Sequence, residues 1–479
     1  MNYGIILNTL GWVLNIEAGC MILPLICGVC YGEWPVVRVF AICIAICLVT
    51  GLGLIAIRPK NKTMYSHEGF TTVALSWIIM SLFGALPFVL SGAIPNYIDA
   101  LFETVSGFTT TGASILSSVE LMPKALLFWR SFTHWIGGMG VLVFLVAILP
   151  LSGGSNLFLL KAESPGPSVS KLVPKVKSTA KILYLIYLAM TLIQIILLLI
   201  GDMPLFDALT ITFGTAGTGG FGIKDSSIAD YSPYIQNVVT VFMILFGIDF
   251  TLYYLILTRR AREAFKSEEY KAYLGIITIA TAIILFNTLG RFTGFFEALR
   301  HSAFQVASFI TTTGYSTTDF NAWPSLSKTV LVLLMFVGAC AGSTGGGIKV
   351  SRILILLKSI RKEIRLVAHP RITHRITMNK RPLEHETVRS VNVYMAVYLT
   401  VFALSLLAIS FDGFDFETNF TTVTTAMNNI GPAFSQITDV SSFGFFSPFS
   451  KLVLIFDMLI GRLEMFPMLI LFSPFNWKK

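Results

Sequence analysis

Apolar residues run along this chain in long blocks with few charges inside them. A helix of roughly 20 apolar residues crosses a hydrocarbon core. Ten blocks have about that length, near 5–30, 35–57, 68–92, 123–150, 179–201, 234–258, 272–290, 325–348, 391–411 and 449–473. The first has no basic segment before it and no small-residue cleavage site after it, so it reads as a retained helix. Between blocks lie amphipathic stretches too short to cross, at 96–108, 205–216, 297–310 and 416–427.

Each short stretch leads into a similar segment. These are Thr109-Thr110-Thr111-Gly112, Gly217-Thr218-Gly219-Gly220, Thr311-Thr312-Thr313-Gly314 and Asn428-Asn429-Ile430-Gly431. The pattern of helix, half-helix, glycine-ended segment and helix therefore recurs four times, about every hundred residues. It divides the chain into an extra N-terminal helix pair (1–60) and four repeats (61–160, 161–262, 263–375 and 376–479). A half-helix followed by extended backbone cannot face lipid, because its N–H and C=O groups would go unpaired; it is tolerated where it lines protein or a water-filled cavity. The expected fold is an all-α polytopic membrane protein. It has about ten transmembrane helices, with four repeats around one pore.

Composition agrees. Hydrophobic residues make up 54% of the chain and charged ones 13%, against about 25% charged in soluble proteins. The net charge of +9 does not indicate a nucleic-acid partner, because it is concentrated in loops: residues 349–390 carry eleven Lys or Arg against three Glu. Further basic loops are Arg58-Pro-Lys-Asn-Lys62, the lysines of 161–181, and Arg259 to Lys271, all following even-numbered spans. Basic loops stay cytoplasmic, which places both termini inside. The opposite side carries Glu33, Glu103, Asp202, Asp207, Asp225, Asp319, Asp415 and Glu417. There they would concentrate cations.

The chemistry that suits these segments is that of potassium. A narrow pore must replace the ion's hydration shell with oxygens, and backbone carbonyls do so without fixed charge. Glycine reaches positive φ without steric cost, and the half-helices aim their partly negative C-terminal ends at the cavity. The expected ion ligands are Thr110, Thr111, Gly112, Thr218, Gly219, Gly220, Thr312, Thr313, Gly314, Asn429, Ile430 and Gly431. One glycine per repeat is shared, against two in the TVGYG of tetrameric channels, which predicts a shorter and less stringent filter.

The third inner span contains Gly338, Gly342, Ser343, Thr344, Gly345, Gly346, Gly347 and Lys349. Three successive glycines break a helix. The break reads either as a kink or as an intramembrane loop that blocks the pore when closed. It resembles a phosphate-binding loop only superficially, since Ile348 interrupts the Gly-Lys pair and no strand precedes it. Gly217-Thr-Gly-Gly-Phe-Gly222 opens no βαβ unit either, so no organic cofactor is expected. Arg462 is a charge inside the last span and hence a functional candidate. Arg130 reads as structural. The six histidines are scattered and Cys27-Gly-Val-Cys30 has no partner pair, which argues against a membrane enzyme.

The four segments resemble the Trk/Ktr/HKT superfamily of potassium transporters. Four further stretches narrow the resemblance to the bacterial TrkH-type subunit: Trp129-Arg-Ser-Phe-Thr-His-Trp-Ile-Gly-Gly-Met-Gly140, Ala162-Glu-Ser-Pro-Gly-Pro167, Gly338-Ala-Cys-Ala-Gly-Ser-Thr-Gly-Gly-Gly-Ile-Lys349 and Gly461-Arg-Leu-Glu464. The resemblance covers essentially the whole chain. It implies potassium uptake across the bacterial inner membrane, a homodimer with one pore per protomer, and a cytosolic TrkA-type nucleotide-binding ring as regulator. It also implies that the 338–349 break is a gate and that Arg462 is an electrostatic barrier just inward of the filter. The chain departs from the pattern at Gly217, Gly219, Asn428, Asn429 and Ile430, and at His134, where glutamine is expected. Gated permeation and symport coupled to sodium or protons both remain open at this level.

Overall fold

The computed structural model describes residues 1–57, 65–140, 176–369, 375–435 and 442–474. The basic loop 58–62, the Ala162–Pro167 motif, most of the 161–181 lysines and the end of the 123–150 block lie outside them. A backbone in hydrocarbon must pair its own polar groups, and the chain meets this with helices. Among the described residues the only sheet is a hairpin that pairs Thr377–Met378 with Arg381–Pro382.

Among the described residues six helices are long and apolar enough to cross a membrane: Tyr3–Cys30, Trp34–Ala56, His67–Leu90, Ala180–Ile200, Glu268–Arg291 and His385–Asp412. A seventh span is the pair Pro233–Phe246 and Phe250–Leu257, bent by 91°. The bend follows Gly247, and the Asp249 carboxylate caps the second piece by accepting the Thr251 N–H at 2.8 Å. The other blocks hold shorter helices: Lys124–Gly138, Ser325–Val337 and Pro448–Arg462. Ser325–Val337 stops at Gly338, which has φ +72°. Pro448–Arg462 stops where Glu464 and Met465 take φ of 58° and 70°. The glycines of 338–349 mark the break after Val337 in the sequence, whereas the breaks after Gly247 and at Glu464–Met465 are too short to change the mean hydropathy of their blocks.

The half-helices are Tyr97–Phe108, Leu205–Gly217, Phe295–Ile310 and Phe416–Asn428. At 1.5 Å per residue they span about 18–24 Å, short of the roughly 30 Å hydrocarbon core. The Asn96 side chain caps the first by accepting the Ile98 N–H at 2.8 Å. Asp415 caps the fourth, and hydrogen bonds from the Thr418 hydroxyl and N–H hold its carboxyl below the usual range. Several of their buried hydroxyls are satisfied by the preceding turn: Thr104 donates to Ala100 O at 2.7 Å, Thr215 to Ile211 O at 2.8 Å and Thr424 to Phe420 O at 2.7 Å. Such back-bonding lets a polar helix sit in a dry interior.

The N-terminal helices Tyr3–Cys20 and Trp34–Ala56 meet through small residues. A Cβ on Gly51 would stand 2.4 Å from Asn15 Oδ1 and 2.9 Å from Gly11 O. Gly51→Leu should therefore lower the apparent unfolding temperature in detergent, with a cost of about 1–3 kcal/mol as for other overpacked contacts. An unchanged melting curve would show that the two helices do not depend on this approach.

Candidate functional site

The four glycine-ended segments close on one another in a ring. A Cβ on Gly112 would lie 1.9 Å from Gly219 O, one on Gly220 1.9 Å from Thr313 O, and one on Gly314 2.0 Å from Ile430 O. One on Gly431 would lie 2.8 Å from Thr111 O, returning to the first segment. Each segment thus packs its glycine against the carbonyl of the next. The half-helices end at this ring, so four partly negative C-termini approach it.

The backbone has the same form in each segment. The glycines have φ of 81°, 77°, 83° and 104°, and the residues two before them, Thr110, Thr218, Thr312 and Asn429, have φ of 55°, 56°, 58° and 54°. The residue between is not left-handed. This alternation turns successive peptide planes the same way, unlike a strand, where they alternate. A left-handed threonine is uncommon, and no signal in the sequence marks it. Among the described residues no group of three or more His, Cys, Asp or Glu is placed to hold a metal ion, so the oxygens on offer here belong to carbonyls and hydroxyls. The Thr110 hydroxyl is buried and has no hydrogen-bond partner among the described residues.

Side chains brace the segments from behind, differently in each repeat. The Thr109 and Thr111 hydroxyls meet at 2.8 Å, as do those of Thr311 and Thr313. Asn429 Nδ2 donates to Thr111 Oγ1 and to Met458 O, both at 2.9 Å. His134 stands behind Gly217 and Gly219, with Nδ1 2.7 Å from Gly107 O. The departures from TTTG are therefore substitutions in the bracing, while the backbone form is kept.

The glycine-rich stretch interrupts the third inner span between Ser325–Val337 and Val350–Ala368. It lies directly against the ring. The Gly346 N–H donates to Thr312 Oγ1 at 2.6 Å and the Gly347 N–H to Asn428 O at 3.1 Å. A Cβ on Gly346 would stand 2.4 Å from Asn428 O, so only glycine lets the backbones approach this closely. Thr344 donates to Phe246 O at 3.2 Å and Lys349 to Gly345 O. The Arg462 guanidinium donates to Thr344 O at 2.9 Å, Gly137 O at 2.5 Å and Gly138 O at 2.9 Å. Glu464 pairs with Arg352 instead. Sequence reasoning missed Glu269, whose carboxylate accepts both the Ala341 N–H at 2.7 Å, inside the stretch, and the Ser351 N–H at 3.0 Å, just after it. The available signal was an acid at the end of an apolar block.

On the other side of the ring, Gly112, Gly220, Gly314 and Gly431 line a cleft of about 100 Å³. The carboxylates expected there as a free acidic surface are largely engaged. Glu103 is buried in a 2.5 Å ion pair with Arg130, which also donates to Gly222 O at 2.9 Å and stacks 3.5 Å from the Phe221 ring. Asp225 accepts the Val119 N–H at 2.8 Å and Glu33 the Lys124 N–H at 2.7 Å. These acids hold loops in place, because an unpaired loop N–H near the membrane needs an acceptor.

Comparison with known proteins follows the same lines. The family described as TrkH, cation transport protein, matches residues 36–289 and 295–479. The chain is 35% identical to "Trk system potassium uptake protein TrkH" of Salmonella typhimurium, covering 100% of both chains. It is 31% identical to "Trk system potassium uptake protein TrkG" of Escherichia coli, covering 99% of this chain and 98% of that one. The crystal structure of the potassium transporter TrkH from Vibrio parahaemolyticus superposes with a TM-score of 0.90 at 31% identity, covering 100% of each.

The ring contacts rank the four glycines. Alanine at 112, 220 or 314 puts a methyl within about 2 Å of a neighbouring carbonyl oxygen, whereas at 431 the gap is 2.8 Å. Gly431→Ala should therefore retain more cation flux than the other three variants, each still inserted and eluting normally in detergent. A flux equal to or below theirs would contradict the ring geometry.

Proposed function

Because the chain belongs to the TrkH family of cation transport proteins, we propose that it carries potassium across a bacterial inner membrane through a gated pore. The carbonyls and hydroxyls of the four segments act as its selectivity filter. The observation that carries this reading is the closed ring of four segments with one shared alternation of backbone hand. Carbonyls held by a rigid scaffold can replace a hydration shell at little reorganisation cost. Potassium is the cargo, and the donors are Thr110 to Gly112, Thr218 to Gly220, Thr312 to Gly314 and Asn429 to Gly431. The division into an N-terminal pair (1–60) and four repeats is the framework of that pore.

The loop from Gly338 to Lys349 is the gate. What supports this reading is that the loop docks against Thr312 and Asn428 at the ring. Arg462, bonded to Thr344 O and to two carbonyls of the first inner helix, supplies positive charge at the same depth and latches the loop. Both termini are cytoplasmic by the placement of basic loops. The basic 349–390 segment then faces the cytosol. There Lys362, Arg375 and Arg389 line a cleft of about 910 Å³, and Leu357, Ile360, Ile364 and Val367 form an exposed apolar stripe. Both features suit a homodimer and a cytosolic TrkA-type ring as partners.

Purified protein in liposomes should take up radioactive rubidium, with potassium competing more strongly than sodium. Uptake that follows an imposed sodium or proton gradient against the rubidium gradient would replace permeation with symport. Deleting residues 341–346 should raise the initial uptake rate, and a rate equal to that of the intact chain would remove the loop from the gate. Arg462→Gln should also raise it, since three carbonyl contacts and a pore-facing charge are lost together. Unchanged uptake at normal expression would confine Arg462 to a packing role.

A further inference from the structure

The second segment lacks the brace found in the first and third. There the threonines one and three positions before the glycine bond to each other. The equivalent residues here are Gly217 and Gly219. Their space is filled by His134, from the helix Lys124–Gly138, which is fully buried. A Cβ on Gly219 would stand 2.3 Å from His134 Cγ, and one on Gly217 would stand 2.2 Å from His134 O.

The imidazole joins two repeats. Its Nδ1 lies 2.7 Å from Gly107 O, near the end of the first half-helix, and its Nε2 lies 3.2 Å from the Phe221 N. A carbonyl only accepts and an amide N–H only donates, so these partners assign the neutral ring with its proton on Nδ1. The Phe221 N–H shares its peptide group with the Gly220 carbonyl. In a trans peptide the two point in opposite directions, and the described peptide bonds are trans. Holding the N–H against His134 turns the Gly220 carbonyl away from the ring, toward the side where the four glycines line the central cleft. Among the residues after the four glycines, Phe221 has its N–H held by a side chain, whereas Pro432 has no N–H to hold.

We propose that His134 is a positioning residue that sets the direction of the Gly220 carbonyl and thereby contributes to discrimination between potassium and sodium. It occupies the place of the threonine pair of the first and third segments. This inference rests on reading the four segments as an ion filter. A side chain that only filled space would affect stability, whereas one that aims a carbonyl must affect selectivity.

The test uses the full chain in planar bilayers or liposomes and reads the potassium-to-sodium permeability ratio from the reversal potential. His134→Leu keeps bulk but loses both hydrogen bonds, and should lower the ratio about ten-fold, the equivalent of about one buried hydrogen bond. His134→Gln can present one N–H and one carbonyl oxygen in the same places and should stay close to the unaltered chain. Gly314→Ala serves as the reference arm because it disturbs the third segment without touching His134. If Gly314→Ala lowers the ratio and His134→Leu does not, the positioning role is overturned and the filter reading stands. If neither lowers it, the filter reading itself fails. A His134→Gln ratio as low as that of His134→Leu would mean that the hydrogen bonds are not what matters. Should His134→Leu not assemble, Gly219→Ala displaces the ring from the other side; it should lower the ratio in the same way, and an unchanged ratio would overturn the proposal.

Discussion

Everything in this structure depends on one constraint: a peptide group away from water must find a partner. A half-helix that stops within the membrane, followed by extended chain, leaves several such groups unpaired. One segment cannot solve this alone. Four together keep these backbones off lipid, because each glycine packs against the carbonyl of the next and the fourth returns to the first. The outward-facing N–H groups go to the half-helices, as in Thr111 N–H to Ser106 O at 2.8 Å and Thr313 N–H to Ser308 O at 2.9 Å. In the proposed filter, the carbonyls of these segments are the ones a dehydrated cation would meet.

The same constraint explains where the charges sit. Buried ions persist only when paired or hydrogen-bonded. Arg130 and Glu103 tie the first half-helix to the loop after the second segment, and Arg352 and Glu464 tie the helix after the glycine-rich stretch to the end of the last inner helix. Arg462 points three hydrogen bonds at backbone carbonyls. Such groups lock loops whose backbone has left regular structure. This is why the acids near the cleft serve the fold first and contribute less to attracting cations than their number suggests.

The ring and the glycine-rich stretch are mechanically one unit. Thr312 belongs to the ring and accepts from Gly346, while Glu269 holds the loop at Ala341 and the start of the following helix at Ser351. Moving the loop must break these bonds, so a signal that reaches Val350–Ala368 has a direct route to the ring. Glu268, next to Glu269, pairs with Lys358 on that helix, and its N–H donates to Asn379 in the hairpin at 2.8 Å. A displacement of the Thr377–Pro382 hairpin would therefore be felt at the loop within a few residues.

The sequence by itself determined what local chemistry determines. Apolar blocks are long because lipid demands it, the half-helices are short and polar-faced, and the glycines at 112, 220, 314 and 431 stand where positive φ is required. Gly338, Gly342 and Gly347, all at positive φ, mark the break in the third inner span for the same local reason. The tertiary structure decided what depends on neighbours far along the chain. It set the order in which the segments touch, the left-handed turn at Thr110, Thr218, Thr312 and Asn429, and the engagement of Glu103 and Asp225. It also made His134 the replacement for two threonines more than 80 residues away. These outcomes rest on contacts between repeats, and no pattern within one repeat encodes which side chain will arrive from another.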